Sequence, residues 1–324
     1  MSKAITFETT GGPEVLRWVD VEVGDPGDGQ VRLRHTAVGL NFIDTYHRTG
    51  LYPLELPSGI GLEAAAVVDA VGDGVEDVQV GDRVAYASPP PGAYARERLM
   101  PADRLVKLPR SVDDRTAAAA MLKGMTAQYL LRRVFHVQPG DTILFHAAAG
   151  GVGLIACQWA KRLGATVIGT VGSEEKAELA RAHGCDHTIV YTREDFVPRV
   201  REITDGVGVP VVYDSVGADT WEGSLDCLSR FGTLVSFGNS SGPVPPFAPT
   251  TLSTKGSLFL TRPTLFHYTA ERDDLVDSAN ELFEVLAKGS VAVEVNQTYP
   301  LEDAAQAHRD LEARANTGST VLLP

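Results

Sequence analysis

The chain has 324 residues, of which 44% are hydrophobic and 22% are charged. This length predicts two domains, and this composition excludes a disordered or fibrous protein. Asp and Glu number 42 against 29 Lys and Arg, which gives a formal net charge of -13. We therefore expect no nucleic acid as a main partner, because the chain would repel a phosphate backbone.

Membrane insertion and secretion are not expected either. The longest apolar stretch, residues 147–160, is shorter than the roughly 20 residues that a membrane-spanning helix needs. Residues 1–8 lack the apolar core and cleavage site of a secretory leader. Cys157, Cys185 and Cys227 are too far apart for a C-x-x-C zinc or redox pair. The sequence thus predicts a cytoplasmic protein.

Residues 1 to about 125 contain short alternating runs, for example at 31–34 and 81–86, and predict several short strands joined by turns. From about Asp141, apolar strands alternate with stretches of helical length. Strands rich in Val and Ile that alternate with helices are typical of a parallel sheet covered on both faces, as in a doubly wound domain. The strands are predicted at 142–145, 166–169, 188–191, 209–213 and 233–237, and the helices at 151–163, 174–183, 195–204 and 219–228.

The last part of the chain mixes both kinds of element. After Pro263 we predict a helix at 273–288, a strand at 291–295, a helix at 301–315 and an apolar end at 321–323. Just before it, residues 257–260 form an apolar run that predicts a further strand at a sheet edge. An exposed apolar edge can pair with its copy in a second chain, so we expect a homodimer.

A glycine-rich turn follows the strand predicted at 142–145. Residues 147–153 read Ala-Ala-Ala-Gly-Gly-Val-Gly and lead into a helix. A strand, glycine turn and helix in this order allow a pyrophosphate to approach the backbone and the helix N-terminus. Ala148 stands where the strict G-x-G-x-x-G pattern has its first glycine. The alternative is a glycine turn needed only for close packing of helix on strand.

The end of the second predicted strand indicates which dinucleotide binds. An enzyme that uses NAD usually has a carboxylate here for the ribose 2′-hydroxyl, but residues 171–173 read Val-Gly-Ser. Ser173, Lys176 and Tyr191 could instead meet a 2′-phosphate, so the sequence favours NADPH. In the alternative interpretation Lys176 is a solvated helix residue, and Glu174 or Glu175 turns back to the ribose.

Two other kinds of catalysis have weaker sequence support. None of the eight histidines belongs to an H-E-x-x-H motif, so no metal ligand set is evident and a carbonyl would be polarised by hydrogen-bond donors. Residues 238–242 spell the G-x-S-x-G of a hydrolase nucleophile elbow. Such an elbow runs into a helix, whereas Pro243, Pro245 and Pro246 follow here. An acyl-transfer hydrolase therefore stays a remote alternative.

Several motifs together resemble one family, the quinone oxidoreductases, which are the zeta-crystallin-like branch of the medium-chain dehydrogenase/reductases. The resemblance extends over essentially the whole chain. In zinc alcohol dehydrogenases of that superfamily, the positions of the three metal ligands correspond here to Asn41, Leu62 and Lys123, so the resemblance implies an enzyme without zinc. The motifs are residues 12–16 (Gly-Pro-Glu-Val-Leu), 39–46 (Gly-Leu-Asn-Phe-Ile-Asp-Thr-Tyr), 81–84 (Gly-Asp-Arg-Val), 140–144 (Gly-Asp-Thr-Ile-Leu), 148–153, Gln158, Lys161, 213–217 (Tyr-Asp-Ser-Val-Gly) and 237–242 (Phe-Gly-Asn-Ser-Ser-Gly).

The resemblance implies an α/β fold with two domains and a homodimer. A GroES-like, mostly-β catalytic domain would comprise residues 1–125 with 267–324, and a Rossmann domain that binds NADP(H) would comprise 126–266. The nicotinamide would lie in the cleft. The implied cofactor contacts are Asn41, Asp44, Thr45, Tyr46, Thr126, Tyr129, Gly150, Gly151, Val152, Gly172, Ser173, Lys176, Tyr191, Ser215, Phe237, Gly238 and Arg314.

The chemistry that follows is hydride transfer from NADPH to an electron-poor carbonyl compound, a quinone. Because a quinone is already electrophilic, the protein has mainly to orient it and to donate hydrogen bonds to the oxygen that gains charge. Asn41, Tyr46 and Tyr52 are the candidate catalytic donors. Reduction of an enone or an enoyl thioester at the same NADPH site is the main alternative. A non-enzymatic role, as in relatives that serve as lens crystallins or bind RNA, is a second one.

Overall fold

The computed structural model describes residues 1–324, which form two compact units. The first unit contains residues 1–125, 269–287 and 293–324, and the second contains 126–268 and 288–292. None of the helices has both the length and the apolar character that a membrane crossing requires.

The secondary structure combines strands, α-helices and short turns of tighter or wider helix. The strands are β1 (Ser2–Phe7), β2 (Arg17–Val21), β3 (Gln30–Leu40), β4 (Ser58–Gly59), β5 (Glu63–Val71), β6 (Arg83–Ala87), β7 (Glu97–Pro101), β8 (Val106–Lys107), β9 (Thr142–Phe145), β10 (Thr166–Val171), β11 (His187–Val190), β12 (Val209–Asp214), β13 (Leu228–Ser236), β14 (Phe259–Thr261), β15 (Val295–Pro300) and β16 (Ser319–Leu323). The α-helices are α1 (Phe42–Thr49), α2 (Asp114–Tyr129), α3 (Gly151–Arg162), α4 (Glu174–Ala182), α5 (Phe196–Ile203), α6 (Trp221–Cys227), α7 (Thr250–Thr254), α8 (Leu265–Tyr268), α9 (Arg272–Ala287) and α10 (Ala304–Glu312). Three 3₁₀ turns lie at Pro13–Val15, Ala102–Arg104 and Leu301–Asp303, and a π-helical turn, Leu130–Val134, continues α2.

The second unit is the doubly wound domain that the sequence predicts. Its six strands lie in the order β11-β10-β9-β12-β13-β14, and every neighbouring pair is parallel. Leu144, Ile168 and Val212 are fully buried in the sheet, as expected for strands covered on both faces. The chain fills one side of β9 with β10 and β11 before it crosses to β12. The carboxyl ends of β9 and β12 therefore form the topological switch point, where open sheets of this kind bind ligands.

The first unit is mostly β, which confirms the predicted fold class. One sheet has the order β15-β16-β3-β5-β6-β8 with β7 paired to β3, and a second has the order β2-β1-β4. Only β15 and β16 pair in parallel in this unit. Leu33, Val84 and Met100 are fully buried members of its core. Helix α1 follows the long strand β3 directly, so the residues of α1 are anchored by the central strand of the larger sheet.

Two predicted elements near the end of the chain differ from the structure. The strand predicted at 291–295 is wrong, because the strand runs from Val295 to Pro300. Instead of pairing with a strand, Ala292 binds the side chain of Gln158: its N–H donates to Oε1 and its carbonyl accepts from Nε2, both at 2.9 Å. The helix predicted at 301–315 ends earlier, at Glu312, and Arg314 has a left-handed φ of 56°.

Candidate functional site

Helix α1 positions the predicted site residues of the first unit. Asn41 precedes the helix in extended conformation, and its N–H donates to Asp44 Oδ2 at 2.9 Å. The Thr45 hydroxyl donates to the carbonyl of Phe42 at 2.7 Å. A carboxylate in the first turn satisfies a backbone donor that the helix leaves without a partner. The local sequence therefore fixes Asn41 and Asp44 relative to each other.

A buried chain of hydrogen bonds leads from Asp44 to the protein surface. Tyr94 donates to Asp44 Oδ2 at 2.9 Å, and the Tyr94 hydroxyl lies 3.2 Å from His308 Nε2. His308 Nδ1 lies 3.0 Å from Arg48 Nη1, and Arg48 Nη2 donates to Glu312 at 2.6 Å. Because a guanidinium can only donate, Nδ1 of His308 accepts and Nε2 carries the hydrogen. Donation thus runs in one direction, from Arg48 through His308 and Tyr94 to Asp44.

Asp44 is an unusual carboxyl group in this chain. It is fully buried, and its Oδ1 atom has no hydrogen-bond partner. Burial raises the pKa of Asp44 to about 7, although the bonds from Asn41 and Tyr94 act in the opposite direction. Burial, aided by Arg48, lowers the pKa of His308 to about 3. Near neutral pH His308 is therefore uncharged, while Asp44 exchanges between its two protonation states.

Glu63, which the sequence analysis did not single out, connects two of the positions that would hold zinc in a relative. Its Oε2 atom accepts from Asn41 Nδ2 at 2.7 Å and from Lys123 Nζ at 3.3 Å, and its Oε1 accepts from the N–H of Leu122 at 2.7 Å. Glu63 is fully buried and Lys123 is 6% exposed. A Cβ on Gly39 would lie 2.1 Å from Glu63 Oε2, so the carboxylate depends on a glycine at 39.

No group of three or more His, Cys, Asp or Glu residues that could hold a metal ion occurs in residues 1–324. The only signal for Glu63 in the sequence was its place directly after Leu62, one of the three substituted ligand positions. Glu63 begins β5 and Lys123 lies in α2, and buried charges such as these are rare unless they are paired. The structure thus places an ammonium and a carboxylate among the residues that correspond to the ligand positions.

The other candidate donors, Tyr46 in α1 and Tyr52 shortly after it, belong to an aromatic group. The rings of Tyr46 and Tyr52 pack edge to face with centroids 5.1 Å apart, and Phe42 lies 5.7 Å from Tyr46. His47 contacts Tyr52 at 6.2 Å in an edge-on arrangement. The N–H of Tyr52 donates to the carbonyl of Tyr46 at 3.1 Å. The structure therefore brings Asn41, Tyr46 and Tyr52 to one short segment of the first unit.

In the second unit, the glycine-rich turn joins β9 to α3 as the sequence predicts. Gly150 precedes α3, and a Cβ on Gly153 would lie 2.5 Å from the carbonyl oxygen of Ala147. Ala148 replaces the first glycine of the strict pattern, and a compensating glycine lies on the neighbouring strand. A Cβ on Gly169 would lie 2.6 Å from the Cβ of Ala148. The space that the fingerprint normally creates at its first position is thus created here by Gly169.

The carboxyl end of β10 brings together the residues predicted to meet a 2′-phosphate. Ser173 caps α4, where its hydroxyl oxygen accepts from the N–H of Lys176 at 3.3 Å. Tyr191 follows β11 and reaches back, so that a Cβ on Gly172 would lie 2.8 Å from the Tyr191 hydroxyl oxygen. Gly172, Ser173 and Tyr191 therefore line one point at the edge of the sheet, one helical turn from Lys176.

Both carboxylates of the alternative interpretation already have partners. Glu174 pairs with Arg181 at 3.1 Å and with Arg193 at 3.4 Å. The backbone N–H of Glu175, together with the Ser173 hydroxyl, holds the pKa of the exposed Glu175 carboxyl below its ordinary value. Arg193, which was not among the predicted site residues, adds a second cation beside the end of β10. Its signal was its position, shortly after the third strand of the sheet.

The next two strand ends carry the remaining predicted contacts. Ser215 follows β12, and Phe237 follows β13 and donates its N–H to the Asp214 carbonyl at 2.7 Å. A Cβ on Gly238 would lie 2.5 Å from the carbonyl oxygen of Ser215, so these two loops touch. No helix follows the G-x-S-x-G sequence until Thr250, which removes the strand-to-helix turn that a nucleophile elbow needs.

Three predicted contacts lie outside these groups. Thr126 is buried near the end of α2, and Tyr129 stacks on Tyr268 with ring centroids 4.6 Å apart. Arg314 is exposed after α10 in the first unit. Apart from Thr126 and Tyr129 in α2, the site residues of the second unit gather at the carboxyl edge of its sheet. Those of the first unit gather around α1, with Arg314 on a separate segment.

Comparisons with known proteins agree with this geometry. The family model "Alcohol dehydrogenase GroES-like domain" matches residues 27–110, and "Zinc-binding dehydrogenase" matches residues 151–282. A quinone oxidoreductase of Pseudomonas aeruginosa is 56% identical, with 100% of both chains covered. A 2-haloacrylate reductase of Burkholderia sp is 51% identical and covers 100% of this chain and 99% of that protein. The crystal structure of Escherichia coli quinone oxidoreductase complexed with NADPH matches with a TM-score of 0.98 at 51% identity, covering 99% of this chain and 100% of the other.

Proposed function

The chain belongs to the quinone oxidoreductase family, to whose members it is 51–56% identical over its full length, and we propose on this premise that it reduces a quinone with NADPH. It is an oxidoreductase. We assign the first compact unit as the catalytic domain and the second as the nucleotide-binding domain. The observation that carries the proposal is the gathering of Gly150, Gly172 and Ser215 at one edge of a parallel sheet, where loops in this fold bind dinucleotides.

The second unit has the features that a bound NADPH would need. Gly151 and Val152 begin α3, whose free N–H groups and positive dipole end suit the pyrophosphate. Gly153, in the first turn of α3, and Gly172, directly after β10, have no room for a Cβ. No side chain therefore covers the backbone at either residue. Ser173 would hold the 2′-phosphate by a hydrogen bond. The absence of an acidic residue in the first turn of α3 also removes a source of repulsion.

When NADPH is bound, it supplies the hydride that the quinone accepts. The residues of the chain have to orient the quinone and stabilise the oxygen that gains negative charge. Glu63 fixes the amide of Asn41 by accepting one of its two N–H groups, and the other can donate. We propose Asn41, Tyr46 and Tyr52 as the donors to that oxygen. We further propose that water supplies the proton that completes the hydroquinone.

A second candidate substrate class has support from a relative. The 2-haloacrylate reductase is named for a substrate with a carbon–carbon double bond conjugated to a carboxyl group, and it is 51% identical to this chain. NADPH oxidation should therefore be followed with a panel of quinones, enones, enoyl thioesters and 2-haloacrylates. The proposal requires that a quinone gives the highest kcat/KM. If an enone or a haloacrylate gave the highest value, the reductase would belong to the second class.

Replacing Lys176 with alanine is expected to raise the KM for NADPH by about tenfold, because a charge-assisted hydrogen bond of roughly 1.5–3 kcal/mol is lost. The KM for NADH should stay nearly unchanged, since NADH has no 2′-phosphate. Steady-state kinetics with both cofactors measure the two values. Lys161→Ala is the matched control, because Lys161 lies in the last turn of α3, away from the glycine-rich turn at the start of that helix. An equal loss with NADPH and NADH would make Lys176 a structural residue.

We also propose a homodimer that forms through the edge strand β14. Phe259 on this strand is 61% exposed, and Phe231 in β13 is 59% exposed. The structure confirms that β14 is the last strand of its sheet, so its outer edge is available for pairing. An exposed aromatic side chain on an edge strand, such as that of Phe259, favours association with a second copy.

Sedimentation at micromolar concentration should show a species of twice the 34.6 kDa chain mass. Phe259→Asp is expected to shift the equilibrium to the single chain, because a charge would have to be buried at the interface. Val207→Asp is the control, since Val207 is 66% exposed on a loop of the same unit and lies outside β14. A single-chain species for the unmodified protein would contradict the proposed dimer.

A further inference from the structure

A second buried chain of hydrogen bonds crosses the second unit at the carboxyl ends of three adjacent strands. Thr170 Oγ1 on β10 lies 2.8 Å from Nδ1 of His146, which follows β9. His146 Nε2 lies 3.0 Å from the hydroxyl of Ser224 in α6, and Ser224 donates to Asp214 Oδ2 on β12 at 2.7 Å. None of these four residues is more than 2% exposed.

The direction of donation follows from the chemistry of the groups. The Ser224 hydroxyl has one hydrogen, which it donates to Asp214, so it accepts from His146 Nε2. Burial lowers the pKa of His146, which keeps the imidazole neutral with one donor and one acceptor. Nδ1 therefore accepts from the Thr170 hydroxyl. Donation runs from Thr170 to Asp214, and each of the two histidine nitrogens has a partner.

The chain of hydrogen bonds ends at Asp214, and the Asp214 carboxylate fixes a loop. Asp214 Oδ1 accepts from the N–H groups of Val216 and Gly217, at 2.8 and 3.1 Å. Asp214 Oδ2 accepts from the Thr220 hydroxyl at 2.7 Å, in addition to the bond from Ser224. Four donors thus converge on one buried carboxylate, and they fix residues 214–217 together with the beginning of α6.

Three of the four members of this hydrogen-bond chain lie just before a loop with predicted cofactor contacts, and the fourth, Ser224, lies in α6. His146 precedes the turn with Gly150, Thr170 precedes Gly172, and Asp214 directly precedes Ser215. The backbone adds a further link, because the N–H of Ala148 donates to the Thr170 carbonyl at 3.1 Å. Deeper in the sheet, Leu144, Ile168 and Val212 of the same three strands belong to an apolar cluster. The chain of hydrogen bonds therefore lies at the carboxyl edge of the sheet, where the loops begin.

We propose that Thr170, His146 and Ser224 are positioning residues that hold three dinucleotide-binding loops in fixed relation to one another, acting through Asp214 and without touching the cofactor. This inference rests on the proposed function, because it assigns the loops to NADPH. A fully paired polar chain in a buried setting fixes geometry more strictly than apolar packing does. Since it acts on the backbone, it should influence the binding of NADPH and NADH to the same extent.

The test is the dissociation constant of each cofactor, measured by fluorescence titration of the full chain without a second substrate. His146→Leu removes both side-chain hydrogen bonds and should raise the dissociation constants of NADPH and NADH equally, by about tenfold. His146→Gln can donate and accept at similar positions and should restore most of the binding. Thr204→Val is the control, because it removes hydrogen bonds to Val200 and Gly208 near the start of β12.

Thermal unfolding of the same variants separates positioning from stability alone. Thr204→Val should lower the melting temperature and leave both dissociation constants unchanged. If His146→Leu lowered the melting temperature but bound NADPH as tightly as the unmodified chain, the inference would be wrong. If His146→Leu did not fold, the same two measurements would be made on Ser224→Ala and Thr170→Val, with the same expected results. Failure of the unmodified chain to bind NADPH would instead refute the proposed function, and this inference with it.

Discussion

Replacing Lys123 with methionine is expected to lower the free energy of unfolding by about 3–5 kcal/mol, the cost of leaving a buried charge without its partner. Glu63 is fully buried, and its carboxylate would keep only the bonds from Asn41 and Leu122. Methionine has a similar length and is apolar, so little packing is lost. Urea denaturation of the unmodified chain and the variant measures the difference.

Two further variants isolate the buried pair. Adding Glu63→Gln to Lys123→Met should recover a large part of the lost stability, because no charge then remains and Asn41 can rotate its amide to pair with glutamine. Lys3→Met is the surface control: Lys3 pairs with Asp20 at 3.0 Å, but the two side chains are 34% and 55% exposed. That change should cost less than about 1 kcal/mol. A loss of the same small size for Lys123→Met would show that the pair contributes nothing through its charge.

Acidification from pH 6 to pH 4 is expected to destabilise the protein by at least about 1.4 kcal/mol per pH unit. Burial lowers the pKa of His35 to about 4 and that of His308 to about 3, although the unfolded side chains titrate near 6.5. Below pH 6.5 the unfolded chain therefore binds two protons that the folded chain does not take up. The stability that these two histidines contribute is present in full above pH 6.5. It is lost as the pH falls toward their pKa values in the folded chain.

Asp44 opposes this trend, and its contribution decides the net slope. Because burial raises its pKa to about 7, folded Asp44 takes up a proton that the unfolded side chain does not bind above about pH 4. Each group contributes about 1.4 kcal/mol per pH unit. As the pH falls, His35 and His308 each lower the free energy of unfolding, and Asp44 raises it. The three groups together therefore leave a net loss of about 1.4 kcal/mol per pH unit. The lowered pKa values of His47 and His146 act in the same direction as the two histidines.

Urea denaturation at half-unit pH intervals tests this account. His308→Gln should flatten the slope between pH 6 and 4 by about 1.4 kcal/mol per pH unit, because one of the two histidines no longer titrates. His187→Gln changes an exposed histidine and is the matched control. The comparison uses slopes, so a lower absolute stability of the variant does not disturb it. A His308→Gln slope equal to that of the control would contradict the role assigned to His308.

Much of the second unit could be predicted from sequence because its signal is local. The strands ending at Phe145 and Val171 are short runs of apolar residues, and each is followed by small residues and a helix. Their order along the chain also determines the edge at which the loops gather. The strand predicted at 291–295 was wrong because local sequence cannot show that the distant side chain of Gln158 binds the backbone of Ala292.

The polar clusters could not be predicted, because their members are far apart in the chain. Arg48 and His308 are separated by 260 residues, and Asn41 and Glu63 by 22. Each of them, taken alone, is compatible with an exposed position. The role of Gly169 could not be predicted either, because Gly169 accommodates Ala148 from a neighbouring strand. The sequence shows that Ala148 departs from the glycine pattern, but it does not show that Gly169 compensates for it.

The most direct test of the central claim is the kcat/KM for a quinone, measured with NADPH and with NADH after exhaustive treatment with a metal chelator. We expect turnover that the chelator does not reduce, and a preference for NADPH of at least about tenfold, which corresponds to one charge-assisted contact with the 2′-phosphate. Absence of quinone reduction, loss of activity on chelation, or equal use of NADH would contradict the account.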